Sequence, residues 1–274
     1  MRRLAVFCCF FLAIFSCSIA LAQVEKGVEI ENGEAWGIDE GEQGVTIEVA
    51  SQWLNQYGST GGISFYDKPV LQNSLTVTLP SGFNAQVWHS TGINSDLLNN
   101  PGAEIDFYLG WSGRLYWLEN SFLNSLEWDV YISYQDYPGL FSRMKEDFLG
   151  LGFEVKKPFE LNEDHVLSPF VAVEYYYPLS GNGGEQGAYA SAGLKHSWKI
   201  WKSISLEQSV RGTYDSGVYG MESGLVGAYT ASLQWKATDH LNVDLGLVQY
   251  TIPISSFHDR SNEIVYGAGI RYDF

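Results

Sequence analysis

The chain has 274 residues and a formal net charge of −16, which argues against nucleic-acid binding because that function needs a basic surface. Aromatic residues make up 15% of the chain, and 29 residues are glycine. Beyond an N-terminal leader no stretch approaches the roughly 18 consecutive apolar residues of a membrane helix, so the composition excludes a helical span in the remainder. An aromatic-rich and glycine-rich chain of this kind is typical of a transmembrane β-barrel or a soluble β-sandwich.

The first 22 residues have the pattern of a secretory signal peptide. Arg2 and Arg3 precede an apolar run, residues 4–21, and the leader ends in the small-x-small site Ala20-Leu21-Ala22. We therefore expect export and cleavage near Ala22. The alternatives are a single membrane anchor, which the Ala-x-Ala exit disfavours, and a lipoprotein modified at Cys17, for which Phe15 two places earlier is a poor fit.

Residues 23–44 differ in composition from the rest of the chain. They hold many acids and a single base, Lys26, with little apolar content. This composition predicts a flexible acidic extension, and a solvated tail is a simpler interpretation than a binding arm. The remaining segment, 45–274, is predicted to form one barrel domain.

The last strand shows the alternation most clearly. Between Glu263 and Phe274 every second residue is apolar, which is typical of a strand with one face toward lipid and the other toward a polar interior. The terminal Phe274, with Tyr272 two places before it, also resembles the C-terminal signal of bacterial outer-membrane proteins. That resemblance implies that the barrel-assembly machinery is a partner.

The same period of two predicts about twelve strands, with 10–14 as the range. An even count returns both chain ends to one side, as in single-chain bacterial barrels. The predicted fold class is therefore all-β, a transmembrane antiparallel up-and-down β-barrel. The strands are predicted at 45–53, 70–79, 83–90, 103–112, 126–135, 149–156, 168–177, 187–199, 204–211, 229–236, 241–247 and 263–274.

Connection lengths agree with this count at most positions. Connections after odd strands are long, as expected for external loops, and those after even strands are short, as expected for periplasmic turns. Gly113–Ser125 and Lys157–His165 are long where a short turn is expected. We expect a short helix at the rim within Gly113–Ser125, although a hidden strand there would change the count.

Charged residues at inward positions would line the lumen. Two interpretations stay open, a wet channel with a transverse field and a lumen filled by ion pairs, and a width of twelve strands does not decide between them. Acids are concentrated in the first half of the barrel and bases in the second, so closure is expected to bring them face to face. The predicted lumen residues are Glu48, Glu104, Asp106, Glu127, Asp129, Glu154, Lys156, Glu174, Lys195, Lys199, Glu207, Arg211, Lys236, Asp244, Arg271 and Asp273.

Aromatic residues at strand ends predict a girdle at the periplasmic boundary, because indole and phenol rings prefer the lipid–water interface. The predicted girdle consists of Trp111, Trp128, Trp198, Trp235, Tyr272 and Phe274.

No motif points to catalysis, to a metal or to a cofactor. The five histidines do not have a metal-ligand spacing. His89-Ser90 and His196-Ser197 are adjacent in sequence, which in a strand sends the two side chains to opposite faces and opposes a shared nucleophile–base pair. We therefore expect no enzyme activity, no catalytic residues and no cofactor.

Four segments resemble a family of outer-membrane barrels described as TorF-like porins. They are Lys68-Pro69-Val70-Leu71-Gln72, Leu79-Pro80-Ser81-Gly82-Phe83, the stretch from Ala103 to Gly113, and Tyr134-Gln135-Asp136-Tyr137-Pro138-Gly139, within about 45–140. The resemblance implies an outer-membrane location and a barrel fold. The long connection 116–124 departs from what the family would lead one to expect.

Three hypotheses for function follow. The first is a channel for passive diffusion of small polar solutes in the outer membrane of a Gram-negative bacterium. The second is a structural or surface-interaction barrel with a plugged lumen, and the third and least favoured is a lipase. Expected partners are outer-membrane lipid and small polar solutes, but not nucleic acid. For the second hypothesis, the loop residues expected to be exposed for binding are Phe65, Tyr66, Leu97, Leu98, Phe141, Tyr219 and Phe257.

Overall fold

A computed structural model of the chain describes residues 44–58, 64–93, 103–115, 125–137, 147–179, 185–255 and 260–274. The predicted signal peptide, 1–22, and nearly all of the predicted acidic extension, 23–44, lie outside these residues. No helix in the described ranges is long and apolar enough to cross a membrane.

The chain forms a closed antiparallel barrel of 12 long strands, as predicted. Each long strand pairs with the next long strand in sequence, and β1 closes the barrel by pairing with β15. Three short strands, β2, β3 and β9, complete the set. In chain order the strands are β1 (Thr46–Leu54), β2 (Tyr57–Gly58), β3 (Ser64–Tyr66), β4 (Val70–Thr78), β5 (Phe83–Gly92), β6 (Glu104–Leu115), β7 (Leu126–Asp136), β8 (Phe148–Lys156), β9 (Phe159–Asn162), β10 (His165–Pro178), β11 (Gly187–Trp201), β12 (Ile204–Asp215), β13 (Gly224–Lys236), β14 (Leu241–Pro253) and β15 (Glu263–Asp273).

Alternation along each strand separates an outer face from an inner face. In β15 Ile264 and Ile270 are more than half exposed, whereas Val265 between them is buried. The same alternation of exposed apolar residues with polar or small ones recurs around the barrel. Two ends can then be distinguished: the turn end, with the short connections 79–82, 202–203 and 237–240, and the loop end, with the longer ones.

The predicted long connection Lys157–His165 is wrong. After a break at residues 157–158 the chain continues as β9, which pairs with the beginning of β10, and only Glu163 and Asp164 form the turn. Pro158 accounts for the break, because proline has no N–H to contribute to a ladder. The turn is therefore short, as at the other connections of this end.

The other connection predicted to be long, Gly113–Ser125, is shorter than predicted. Strand β6 continues to Leu115, and the Ser125 amide donates to the Leu115 carbonyl at 2.8 Å. Gly113–Leu115 is thus strand rather than connection. The helix expected in this connection would fall in 116–124, outside the described residues.

A bulge in β14 reverses one predicted face. The register shifts by one residue between Asp244, which pairs with Gly269, and Leu247, which pairs with Gly267. An extra residue in one strand inverts the orientation of everything after it. Strict alternation from Leu241 and Val243 would place Leu247 on the outer face, but after the bulge Leu247 packs inside the barrel and Val248 is exposed instead.

Two segments at the loop end fold into the lumen. One is the β2–β3 hairpin, and the other is a 3-10 turn, Val218–Gly220. Tyr219 in this turn has φ 62, and it lies between Gly217 at φ 103 and Gly220 at φ 72. Glycine adopts such left-handed conformations without steric cost, so the two glycines allow the sharp inward fold.

Candidate functional site

Most of the predicted lumen charges alternate with exposed apolar residues along their strands, as inward positions do. Most lie in the half of the barrel nearer the turn end, whereas Glu104 and Asp106 lie near the loop end. Lys199 and Lys236 are exposed, and Nζ of Lys236 is 3.5 Å from Asp239 at the turn end.

Ion pairs in the turn-end half connect strands that lie near one another. Glu127 contacts Arg114, and its other oxygen is 3.2 Å from Lys156. Lys195 is 2.5 Å from Glu154. All of these side chains are at least one-fifth exposed, so each pair is a weak contributor to stability.

One further ion pair joins Arg271 to Glu48 at 3.5 Å across the β1–β15 seam. The ion pairs that the described residues form in the turn-end half therefore run along the barrel wall, and none of them joins opposite sides of the lumen. The expectation that acids and bases meet across the lumen, and the idea of a lumen filled by ion pairs, find no counterpart in this part of the chain.

Other inward carboxylates are held by neutral partners. Ser197 donates to Glu207 at 2.6 Å, Ser232 donates to Asp244 at 3.1 Å, and Asn242 donates to Asp273 at 3.1 Å. These bonds hold the carboxylates against the wall.

A polar cavity of about 610 Å³ opens at the turn end. Arg114, Glu127, Asp129, Glu154 and Lys156 contribute charges to its lining. A second cavity of about 240 Å³ lies deeper, between Asp129, Tyr131 and Glu174. The described residues therefore leave an opening lined by charged side chains at the turn end.

The loop-end half is filled. Tyr219 lies at the centre of the filling, with its ring centroid 4.9 Å from that of Phe148, 5.6 Å from Tyr176 and 5.7 Å from Phe65. We call the buried apolar cluster around it the plug, which consists of Leu54, Tyr57, Phe65, Val70, Tyr137, Phe148, Tyr176, Tyr189, Val218, Tyr219 and Val265.

The plug joins much of the barrel wall. Its wall members lie on β1, β4, β8, β10, β11 and β15, the inserted loop segments supply others, and Leu247 of β14 packs against it. Burial raises the pKa of Tyr137 and of Tyr219 well above the ordinary tyrosine value. Both hydroxyls therefore stay protonated, and their oxygens lie 3.0 Å apart.

A buried ion pair connects the start of the 3-10 turn to the chain that enters β15. Arg260 donates to Asp215 at 2.5 Å, and both side chains are fully buried. The other oxygen of Asp215 accepts from the amides of Gly217 and Val218, each at 2.8 Å. One carboxylate thus holds both the start of the turn and the chain entering β15.

Sequence reasoning missed the plug. Phe65 and Tyr219, predicted to be exposed for external binding, are buried in it. Leu97, Leu98, Phe141 and Phe257 lie outside the described residues. A signal was nevertheless present, because Tyr176 and Tyr189 fall at inward positions near the loop end of their predicted strands.

The outer wall carries aromatic residues at both ends. At the turn end Trp111 lies 5.4 Å from Trp128, ring centroid to ring centroid, and Trp198, Trp235, Tyr272 and Phe274 are exposed. A second belt, absent from the sequence prediction, lies at the loop end and includes Trp53, Tyr175, Tyr177, Tyr214 and Tyr266. Exposed Val, Leu, Ile and Phe side chains fill the zone between the two belts.

The two His-Ser sequences do not form nucleophile–base pairs. His196 lies on the outer wall, 3.0 Å from His165, whereas Ser197 points inward to Glu207. His89 and Ser90 likewise face opposite sides, and Ser90 is buried. Among the described residues no three His, Cys, Asp or Glu side chains are grouped so as to hold a metal ion.

Residues 39–150 match the model of a family described as bacterial proteins of unknown function, Gcw_chp. The match overlaps the segments that resemble the TorF-like family, under a different description. No protein with a curated description matches the sequence.

Several solved barrels are similar in fold. The NanC porin is 9% identical, with a TM-score of 0.48 over 82% of this chain and 98% of that one. The KdgM porin is 10% identical, with a TM-score of 0.48 over 84% and 99%. LpxR from Salmonella typhimurium is 7% identical, with a TM-score of 0.49 over 82% and 99%. At these identities and scores the likenesses add nothing to the fold that the strand pairing defines.

Proposed function

We propose that the protein is a porin-like β-barrel of a bacterial outer membrane whose lumen is closed at the loop end in its resting state. The observation that carries the closure is the plug, because it joins side chains of β1, β4, β8, β10, β11 and β15 to the two inserted loop segments. The exposed apolar zone between two aromatic belts supports the membrane location, since soluble proteins rarely expose so large an apolar surface.

The plug is too stable to open often. Burial of an aromatic side chain contributes about 1.5–3 kcal/mol, so exposing only Phe65 and Tyr219 costs roughly 3–6 kcal/mol. Since each 1.4 kcal/mol is about a tenfold change in an equilibrium, fewer than about one molecule in a hundred is open at a given time. Phe148, Tyr176 and Tyr189 remain on the wall even when the loop segments move.

Recordings in a planar lipid bilayer test the closure. The refolded wild-type barrel is expected to give few or no conductance steps, whereas the variant Phe65→Ser/Tyr219→Ser gives frequent steps. Tyr214→Ser/Tyr266→Ser is a matched control, because it removes two exposed aromatic rings from the outer wall near the same end. Stable open steps in the wild type, unchanged in Phe65→Ser/Tyr219→Ser, would contradict the proposal.

A passive channel for small polar solutes is the second candidate. The open, charged cavity at the turn end favours it, because a purely structural barrel has no need of an entrance lined by Arg114 and Lys156. Swelling of liposomes that contain the wild-type barrel, in isosmotic solutions of small sugars, would support this function over a closed barrel.

The location and the assembly partner need separate tests. Cell fractionation and N-terminal sequencing of the mature protein are expected to give an outer-membrane species that begins near Gln23. Deletion of Phe274 is expected to lower the amount of assembled barrel, because it removes the terminal residue that resembles the assembly signal. Recovery of the full amount after this deletion would argue against recognition through β15.

A further inference from the structure

Two carboxylates are buried beside the plug, and no basic side chain among the described residues forms an ion pair with them. Glu104 and Asp106 lie two residues apart on the inner face of β6 and are 1% and 2% exposed. Tyr57 contacts Glu104 and Tyr108 donates to Asp106 at 2.7 Å, and the two carboxyl groups also interact with each other. Burial of uncompensated charge is costly, so the pair needs a counter-charge or a proton.

Unpartnered oxygen atoms lie at the same place. Oδ1 of Asp106 and Oγ of Ser90 are both buried, and neither has a hydrogen-bond partner among the described residues. Ser90 is directly opposite Glu104 in the β5–β6 register, and both side chains point inward. Side chains opposite each other in this way have Cβ atoms roughly 5 Å apart, which places Ser90 within reach of the same ligand as Glu104.

We propose that Glu104, Asp106 and Ser90 form a calcium site at the edge of the plug. Ca²⁺ prefers oxygen ligands and tolerates irregular geometry, and two carboxylates match its charge. The oxygen set contains no nitrogen or sulfur donor that would favour a transition metal. This inference depends on the side-chain geometry, and not on whether the barrel conducts.

Calcium at this site would stabilise the closed lumen. Glu104 contacts Tyr57 of the β2–β3 hairpin. Asp106 pairs in register with Gln135, whose side-chain oxygen accepts from Tyr137 at 3.1 Å and from Tyr219 at 3.2 Å. A cation between the two carboxylates would therefore hold the strand that supports both loop-borne parts of the plug.

Terbium luminescence gives a direct test on the refolded full-length mature barrel in micelles. After treatment with a chelator, Tb³⁺ is added, and its emission is excited through the neighbouring tyrosines. We expect a saturable signal with one site per chain, displaced by Ca²⁺ at lower concentration than by Mg²⁺. Calcium is also expected to raise the melting midpoint of the wild-type barrel.

The variant Glu104→Gln/Asp106→Asn keeps the shape of both side chains and is expected to lose the saturable signal and the calcium-dependent shift. Glu185→Gln is the matched control, an exposed acid at the same end, and is expected to behave as wild type. Ser90→Ala, which leaves both carboxylates in place, is expected to weaken Ca²⁺ binding by about tenfold or more, as losses around a metal site usually do.

Folding of each variant is checked by its heat-dependent mobility in gel electrophoresis. If Glu104→Gln/Asp106→Asn does not fold, Ser90→Ala decides the question. Equal binding in wild type and Ser90→Ala, or the absence of a saturable signal that Ca²⁺ displaces, would overturn the proposal and show that the two carboxyl groups share a proton only.

Discussion

The two halves of the lumen differ although the same strands build both. Along β8, Phe148 at the loop end is buried in the plug, whereas Glu154 and Lys156 at the turn end line an open cavity. The width set by twelve strands is the same at both ends, so it does not determine whether the lumen is open. The volume and polarity of the inward side chains do, together with the loop segments that fold between them.

The largest expected effect comes from the buried ion pair of the loop-end half. Arg260→Met leaves Asp215 without its charged partner in a fully buried position, and it is expected to lower the free energy of unfolding by about 3–5 kcal/mol. Urea unfolding of the refolded barrel in micelles measures the change. The control Lys236→Met disrupts an exposed pair at the turn end and is expected to have little effect.

If Arg260→Met destabilised the barrel no more than Lys236→Met, the Arg260–Asp215 ion pair would contribute nothing to stability. The loop-end half would then be no more rigid than the turn-end half. A large loss confined to Arg260→Met would instead confirm that the loop-end half is the rigid one.

A somewhat smaller effect is expected from removing one ring of the plug. Phe148→Ala leaves a cavity among packed aromatic rings. It is expected to lower the free energy of unfolding by about 3 kcal/mol, because the loop segments can partly collapse into the cavity. Phe153→Ala is the matched control on the same strand, since Phe153 is 48% exposed on the outer wall. Thermal unfolding of the two variants side by side gives the comparison, and similar losses in both would show that the plug is not tightly packed.

A third test probes the boundary between the halves. A Cβ atom added at Gly152 would lie 2.1 Å from the ring of Tyr131, so Gly152→Ala forces the ring away and is expected to cost about 1–3 kcal/mol. At Gly246 a Cβ atom would meet nothing within 4 Å, and Gly246→Ala is the control. Urea midpoints that are the same for the two variants would mean that the Tyr131 ring is free to move.

The strand pattern could be predicted from the sequence because alternation is a local property. Each of the twelve predicted segments overlaps a strand, and errors of face occur where a local irregularity intervenes, as at the bulge before Leu247. Pro158 interrupts the strand pattern, so the sequence did not show that the chain continues from β8 into β9. These errors move single residues or turns and leave the barrel intact.

The filling of the lumen could not be predicted in the same way, because it depends on contacts between distant residues. Phe65 and Tyr219 are in contact only after closure of the barrel, and in sequence both look like ordinary loop aromatics. The inward aromatic residues Tyr176 and Tyr189 could have indicated a filled lumen, since large rings on the inner faces of neighbouring strands leave little free space.

The smallest stability effect is expected in the open half, where it is accompanied by an electrical one. Lys195 pairs with Glu154 and lies 4.7 Å from the centre of the Phe170 ring, but the side chains of the ion pair are 41% and 28% exposed. Lys195→Met is therefore expected to change the free energy of unfolding by less than about 1 kcal/mol.

Lys195→Met also removes a positive charge from the lumen wall. In the plug-opened background Phe65→Ser/Tyr219→Ser it should therefore shift the reversal potential in a salt gradient toward cation preference. The conservative Lys195→Arg in the same background keeps the charge and should leave the potential unchanged. An unchanged reversal potential in Lys195→Met would mean that ions do not pass close to this wall. The charges of the turn-end half would then have no effect on ion selectivity.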